Sequence, residues 1–195
     1  MAGADNHDFW SAVAMALERR PSTVAPAIEY IFDFGESEKR QEKTMSISPT
    51  MMGIESLTLE VNQEIRVRAS LENTFAALLE QIGPENESPQ GKMPMKIEAW
   101  PGGRWFRDLG EGNGHLWGHV QAIKRPSLLE ITGPLFFSYA VVSNLQYRLT
   151  EDRGETVIKF HHKAFGVISE EHRRGVTSGW SHINQSIKAR AERGR

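Results

Sequence analysis

The sequence predicts an α+β fold, a curved antiparallel sheet of about seven strands whose concave face is covered by one long C-terminal helix. Three observations carry this. In "LTLEVNQEIRVRA", Leu57, Leu59, Val61, Ile65, Val67 and Ala69 share one parity, while Thr58, Glu60, Asn62, Glu64, Arg66 and Arg68 share the other. Such a period of two, with one wet face, is a strand of a half-covered antiparallel sheet. Further on, short apolar runs alternate with Gly, Pro, Asn and Asp turn signals, the pattern of a meander. Near the end Val176, Trp180, Ile183 and Ile187 step by four, three and four, which makes one apolar stripe on a helix.

Residues 1–56 read as an extension, helical or partly disordered, and 57–195 as the domain. In "HDFWSAVAMALERR", Phe9, Trp10, Val13, Ala14 and Leu17 fall at helical spacing before Pro21 breaks the pattern. The following "GESEKRQEKTMSISPTMMG" is polar and linker-like. Two readings stand: a helical appendage that packs on the domain, or a chain whose native start is Met45, Met51 or Met52. After the first strand, whose apolar side only Gln63 interrupts, Ser70 offers an N-cap and Gly83-Pro84 a stop for "LENTFAALLEQI". "ENESPQGKMP" reads as a loop. Strands are then expected in "MKIEAW", "RWFRDL", "HLWGHVQAIK", "LLEIT", "VVSNLQYRLT" and "TVIKFHHKAF", with "GPLFFSYA" as an irregular aromatic connection. Ser169 caps the closing helix, and Glu170 and Glu171 suit its positive end.

Composition narrows the function. A net charge of −2 and a pI of about 6.4 give no basic footprint for nucleic acid. The absence of cysteine removes disulfides, thiolate metal sites and a cysteine nucleophile together. No run approaches the roughly 18 apolar residues of a membrane span, and the N-terminus lacks a basic n-region. A cytoplasmic protein is expected. "GEGNGH" has His115 where a dinucleotide loop needs its third glycine and is followed by a strand-like run, so it reads as a hairpin turn. His161 and His162 are adjacent in a strand and point to opposite faces. His115 and His119 share a parity but lie about 13 Å apart along a strand. His172 and His182 lie roughly 15 Å apart along the helix. No metal site and no cofactor are expected. Ser178 and Ser181 sit in no nucleophile elbow, and no catalytic set is assigned.

Together "RASLENTFAALLE", "PGGRW", "GHVQAIKRPSLLEIT", "VVSNLQYRLTEDRGETVIKFHHKAF", Gly179-Trp180 and the closing helix resemble the helix-grip fold of the START-like (SRPBCC, birch-pollen-allergen-like) superfamily. The closer likeness is to the branch of the C-terminal domain of Hsp90 ATPase activator homologues. It spans about Leu57 to Glu192. The chain departs from that pattern at "GPENESPQGKMP", where members carry a second short helix. The resemblance implies a residual cavity between sheet and helix and a ligand that is small and apolar or amphipathic. Its alternatives are a protein-binding regulator and a polyketide cyclase-type enzyme, the enzyme ranking last because no catalytic set is evident. It turns the Trp105 side of its strand inward, which would place Arg107 in the cavity unless the guanidinium snorkels to the rim. His162 shares parity with Ile158 and Phe160, and reads as a core histidine or as a polar contact to ligand. Trp105, Arg107, Phe136, Tyr139, Tyr147, Phe160, His162 and Trp180 are the candidate ligand-binding residues, with core packing the competing role for most of the aromatics.

Overall fold

The computed structural model describes residues 53–88 and 91–194; the apolar spacing at Phe9 to Leu17 lies outside them. Strand β1 (Thr58–Val67) leads into helix α1 (Leu71–Ile82). Short strands β2 (Glu87–Ser88), β3 (Gly91–Lys92) and β4 (Lys96–Ile97) follow. Then come β5 (Arg104–Gly110), β6 (Asn113–Lys124), β7 (Leu128–Gly133), β8 (Val141–Asp152) and β9 (Glu155–Gly166), and the chain closes with α2 (Glu170–Arg193). Seven strands form one antiparallel sheet in the order β1-β9-β8-β7-β6-β5-β4. Each β-hairpin from β4 to β9 is a nearest-neighbour step, and only β1 crosses over to pair with β9.

The alternation in β1 is realised: Leu59, Val61, Ile65 and Val67 are buried and the intervening polar residues are exposed. Ser70 caps α1, its hydroxyl oxygen accepting from the Asn73 amide at 3.2 Å, and Ser169 does the same for α2 through His172 at 3.2 Å. The α2 stripe of Val176, Trp180, Ile183 and Ile187 is buried on the concave face, and α1 packs beside it. Arg173 of α2 donates to the backbone oxygens of Ser56 and Thr58, tying the start of β1 to the closing helix.

The expected loop "ENESPQGKMP" contains the small β2–β3 hairpin instead. Its flanks explain the order: Met93 and Met95 are buried, and Glu87 accepts from Ser186 of α2 at 3.1 Å. The expected β5–β6 turn is present, with Gly110, Glu111 and Gly112 all at positive φ. One strand defies simple alternation. Trp105 pairs with Gly118 and Phe106 with Leu116, so Trp117 is the extra residue of a bulge. The bulge inverts parity along β6. His115 therefore faces Arg107 and His119 faces Arg104, on opposite sides of the sheet, which corrects the expectation that the two histidines share a face.

Candidate functional site

The concave face meets α2 in a continuous set of aromatic rings. Trp105 and Trp117 pack edge to face at 4.9 Å, and Trp117 meets Phe136 at 5.7 Å. Phe136 in turn lies 6.2 Å from both His162 and Trp180. Phe160 bridges Tyr147 at 4.9 Å and Trp180 at 5.0 Å. Each ring arrives by a traceable route. Trp105, Tyr147, Phe160 and His162 are inward residues of β5, β8 and β9, Trp180 belongs to the α2 stripe, and Phe136 comes from the connection between β7 and β8. That connection folds inward, burying Leu135, Phe136 and Phe137, and holds Leu135 at φ 55°, a left-handed value that a γ-branched residue rarely adopts.

The polar atoms within this wall are few and individually fixed. The Trp105 indole donates to the Ile82 carbonyl at 2.7 Å, anchoring the end of α1. The Tyr147 hydroxyl donates to Asn184 Oδ1 at 2.9 Å, Asn184 Nδ2 donates to Gln63 Oε1 at 2.8 Å, and Gln63 Nε2 donates to Ser181 Oγ at 2.9 Å. The single polar residue on the inward side of β1 is thus the foot of a relay to α2. Burial drives the Tyr147 phenol far above its ordinary pKa.

His162 differs. The Trp180 indole N–H donates to its Nδ1 at 2.9 Å, which places the ring proton on Nε2. Nε2 is buried and has no hydrogen-bond partner among the described residues. Burial lowers the imidazole pKa to about 4, so the ring is neutral at pH 7. Ser143 on β8 is also buried, and its Oγ has no partner either. His162 pairs with Leu145 and Ser143 with Ala164, so the two polar side chains are diagonal neighbours on the inward face.

Two predicted site residues lie apart from this cluster. Arg107 is half-buried and lines an open groove of about 630 Å³ along the β5–β6 hairpin, with Lys96, Asp108, His115 and Leu116. Lys96 pairs with Asp108, and Arg104 pairs with Glu98, whose carboxyl is held down to about 2 by the Arg104 hydrogen bonds. Arg107 makes no ion pair among the described residues and sits at the rim, where its charge keeps contact with water. Tyr139 is 37% exposed and stacks on His172, with 2.6 Å between its hydroxyl and the ring Nδ1. Sequence reasoning missed Trp117, His115 and Ser143. The indole of Trp117 donates to His115 Nδ1 at 3.1 Å, and burial lowers the His115 pKa. A bulge hides both from parity counting. Ser143 is an inward residue of β8, and a lone serine in a strand carries no chemical signal by itself.

Among the described residues no group of three His, Cys, Asp or Glu could hold a metal ion, and no helix is long and apolar enough to cross a membrane. No family model and no curated protein matches the chain. Solved structures do. Ara h 8.0201 is 14% identical with a TM-score of 0.52, over 69% of this chain and 97% of that one. CalU16 from Micromonospora echinospora is 18% identical with a TM-score of 0.50, over 68% and 75%. The di-domain ARO/CYC StfQ from the steffimycin biosynthetic pathway is 12% identical with a TM-score of 0.51, over 72% of this chain and 52% of that one. The chain has a helix-grip fold. At these identities the likeness carries the fold and leaves function to be argued from the site.

Proposed function

We propose that the protein binds a small apolar or amphipathic molecule between the sheet and α2, by enclosure rather than by chemistry. The observation that carries this reading is the buried, unpartnered Nε2–H of His162 set in a wall of aromatic rings. A buried donor without a partner costs roughly 1–3 kcal/mol, a cost a bound ligand would relieve. Phe136 packs against His162 from a connection that holds Leu135 at positive φ, which supports a reading in which its ring gives way to the ligand.

The enzyme alternative, in which His162 is an acid–base, has less support. Its one lone pair is occupied by the Trp180 indole, and its depressed pKa leaves no proton to give as an imidazolium. A protein-binding role is the second reading. Val142 and Phe165 are opposed on the outer face of the sheet and are 68% and 52% exposed, an apolar patch of the type that partners cover.

Native mass spectrometry of freshly purified full-length protein tests the first reading. A retained apolar mass is expected, or saturable quenching of tryptophan emission by hydrophobic aromatic compounds, since Trp180 touches the site. If neither is found, the enclosure reading falls and the outer face becomes the candidate.

A further inference from the structure

From the paired positions of Ser143 and His162 we infer that the enclosed ligand presents one uncharged oxygen acceptor, a ketone, quinone or ester carbonyl, to a two-donor seat made by His162 Nε2–H and Ser143 Oγ–H. The inference rests on the enclosure reading above and specifies its chemistry. Both side chains project inward from adjacent strands, at diagonal positions across the β8–β9 ladder. Diagonal neighbours in such a ladder stand about 7–8 Å apart at the backbone, close enough for two side chains to converge on one atom. His162 is 0% exposed and Ser143 1% exposed, and neither polar atom has a partner among the described residues.

The two groups do not bond to each other, since each is without a partner. That separates them from a serine nucleophile and its base, which must lie within about 2.6–3.2 Å. What remains is a pair of donors. The Trp180 bond holds the His162 proton on Nε2, and the Ser143 hydroxyl is free to rotate. A carbonyl oxygen carries two lone pairs and accepts both. A carboxylate does not suit the seat. The inner surroundings are Phe136, Leu145, Ala164 and Trp180, with no cation among them, and an unpaired buried charge is costly. An anionic end would go instead to Arg107 at the rim.

The test uses the full chain with three probes of one shape: 2-acetylnaphthalene, 2-ethylnaphthalene and 2-naphthoic acid, titrated by calorimetry. The ketone is expected to bind about tenfold tighter than the hydrocarbon, as one to two hydrogen bonds made in a dry site would give. Ser143→Ala should remove most of that preference while leaving the hydrocarbon unchanged. In the unliganded protein Ser143→Ala should leave the melting temperature unchanged or raise it, because it deletes a polar atom that has no partner. In nitrogen-labelled wild-type protein the His162 Nε2–H proton should move downfield with the ketone and not with the hydrocarbon. Equal affinity for ketone and hydrocarbon overturns the seat while leaving enclosure intact. So does a melting temperature lowered by Ser143→Ala, or an acid that binds tightest in both proteins. Binding of none of the three overturns the enclosure reading and the seat with it.

Discussion

His162 owes its chemistry to one bond. By accepting the Trp180 indole hydrogen bond at Nδ1, it becomes a donor at Nε2 and nothing else. Its parity with Ile158 and Phe160 made the inward direction legible in the sequence, but its tautomer depends on a residue 18 positions away on another element. The same limit governs Arg107. Alternation put it on the Trp105 side, and the β5 ladder keeps it there, yet β5 runs on to the rim, where Leu109 on the same side is 45% exposed. How far a strand reaches past its cover is a tertiary fact. The depressed pKa of His162 makes a stability prediction. Between about pH 4 and 6.5 the unfolded chain binds a proton on this ring and the folded chain does not. Stability therefore rises with pH through that window, is fully present above 6.5 and is lost as pH falls toward 4. The ceiling for one such group is roughly 3 kcal/mol. His115, also depressed by burial, acts in the same direction, whereas the Glu98 contribution is fully present above 4.5 and is lost only as pH falls from there toward 2. Urea denaturation from pH 4.5 to 7 should show the rise in wild type and a shallower slope in His162→Gln. Parallel slopes would mean that the ring is solvated in the folded protein.

At the scale of elements, the closing helix is held by one apolar stripe and one polar relay. The stripe was legible because its spacing is helical, and so was the alternation of β1, including Gln63 as its exception. The relay was not, because Gln63, Tyr147, Ser181 and Asn184 come from three elements and meet only when α2 lies across the sheet. The β2–β3 hairpin escaped for a similar reason, since its order comes from contacts with α2 rather than from any strand propensity of its own. Trp180→Ala should cost about 3–5 kcal/mol in urea denaturation, for a fully buried indole whose cavity cannot collapse between sheet and helix. A loss below about 1 kcal/mol would be incompatible with the helix lying on the sheet as described. Asn184→Leu should cost about 1–3 kcal/mol, because it leaves the buried Tyr147 hydroxyl without its acceptor and takes the donor from half-buried Gln63 Oε1. Adding Tyr147→Phe should recover part of that loss, since the orphaned hydroxyl goes with it. Additive losses in the double variant would show that the two side chains are not coupled.

At the scale of the molecule, the fold follows from a few repeated choices: two-residue alternation, turn residues between short strands, and one long amphipathic helix. All are local patterns, which is why the architecture could be read from the sequence while the ligand could not. The boundary of the domain belongs to this scale. The sheet and both helices form one hydrophobic core from Leu59 to Ala191, and Arg173 fastens the chain at Ser56 and Thr58. A chain beginning at Met52 should therefore melt within about 2 °C of the full chain, a difference worth less than about 1 kcal/mol for a domain this size. The opposite result would be informative. Phe165 and Val142 leave apolar surface on the outer face close to where β1 begins, since Thr58 pairs with Phe165. An amphipathic stretch such as "FWSAVAMAL" has the composition to cover it. If the shorter chain melts several degrees lower, and Phe165→Ser lowers the full chain but not the short one, the first fifty residues belong to the folded unit. If both chains respond alike to Phe165→Ser, the domain begins near Gly53 and the outer patch is left for a partner.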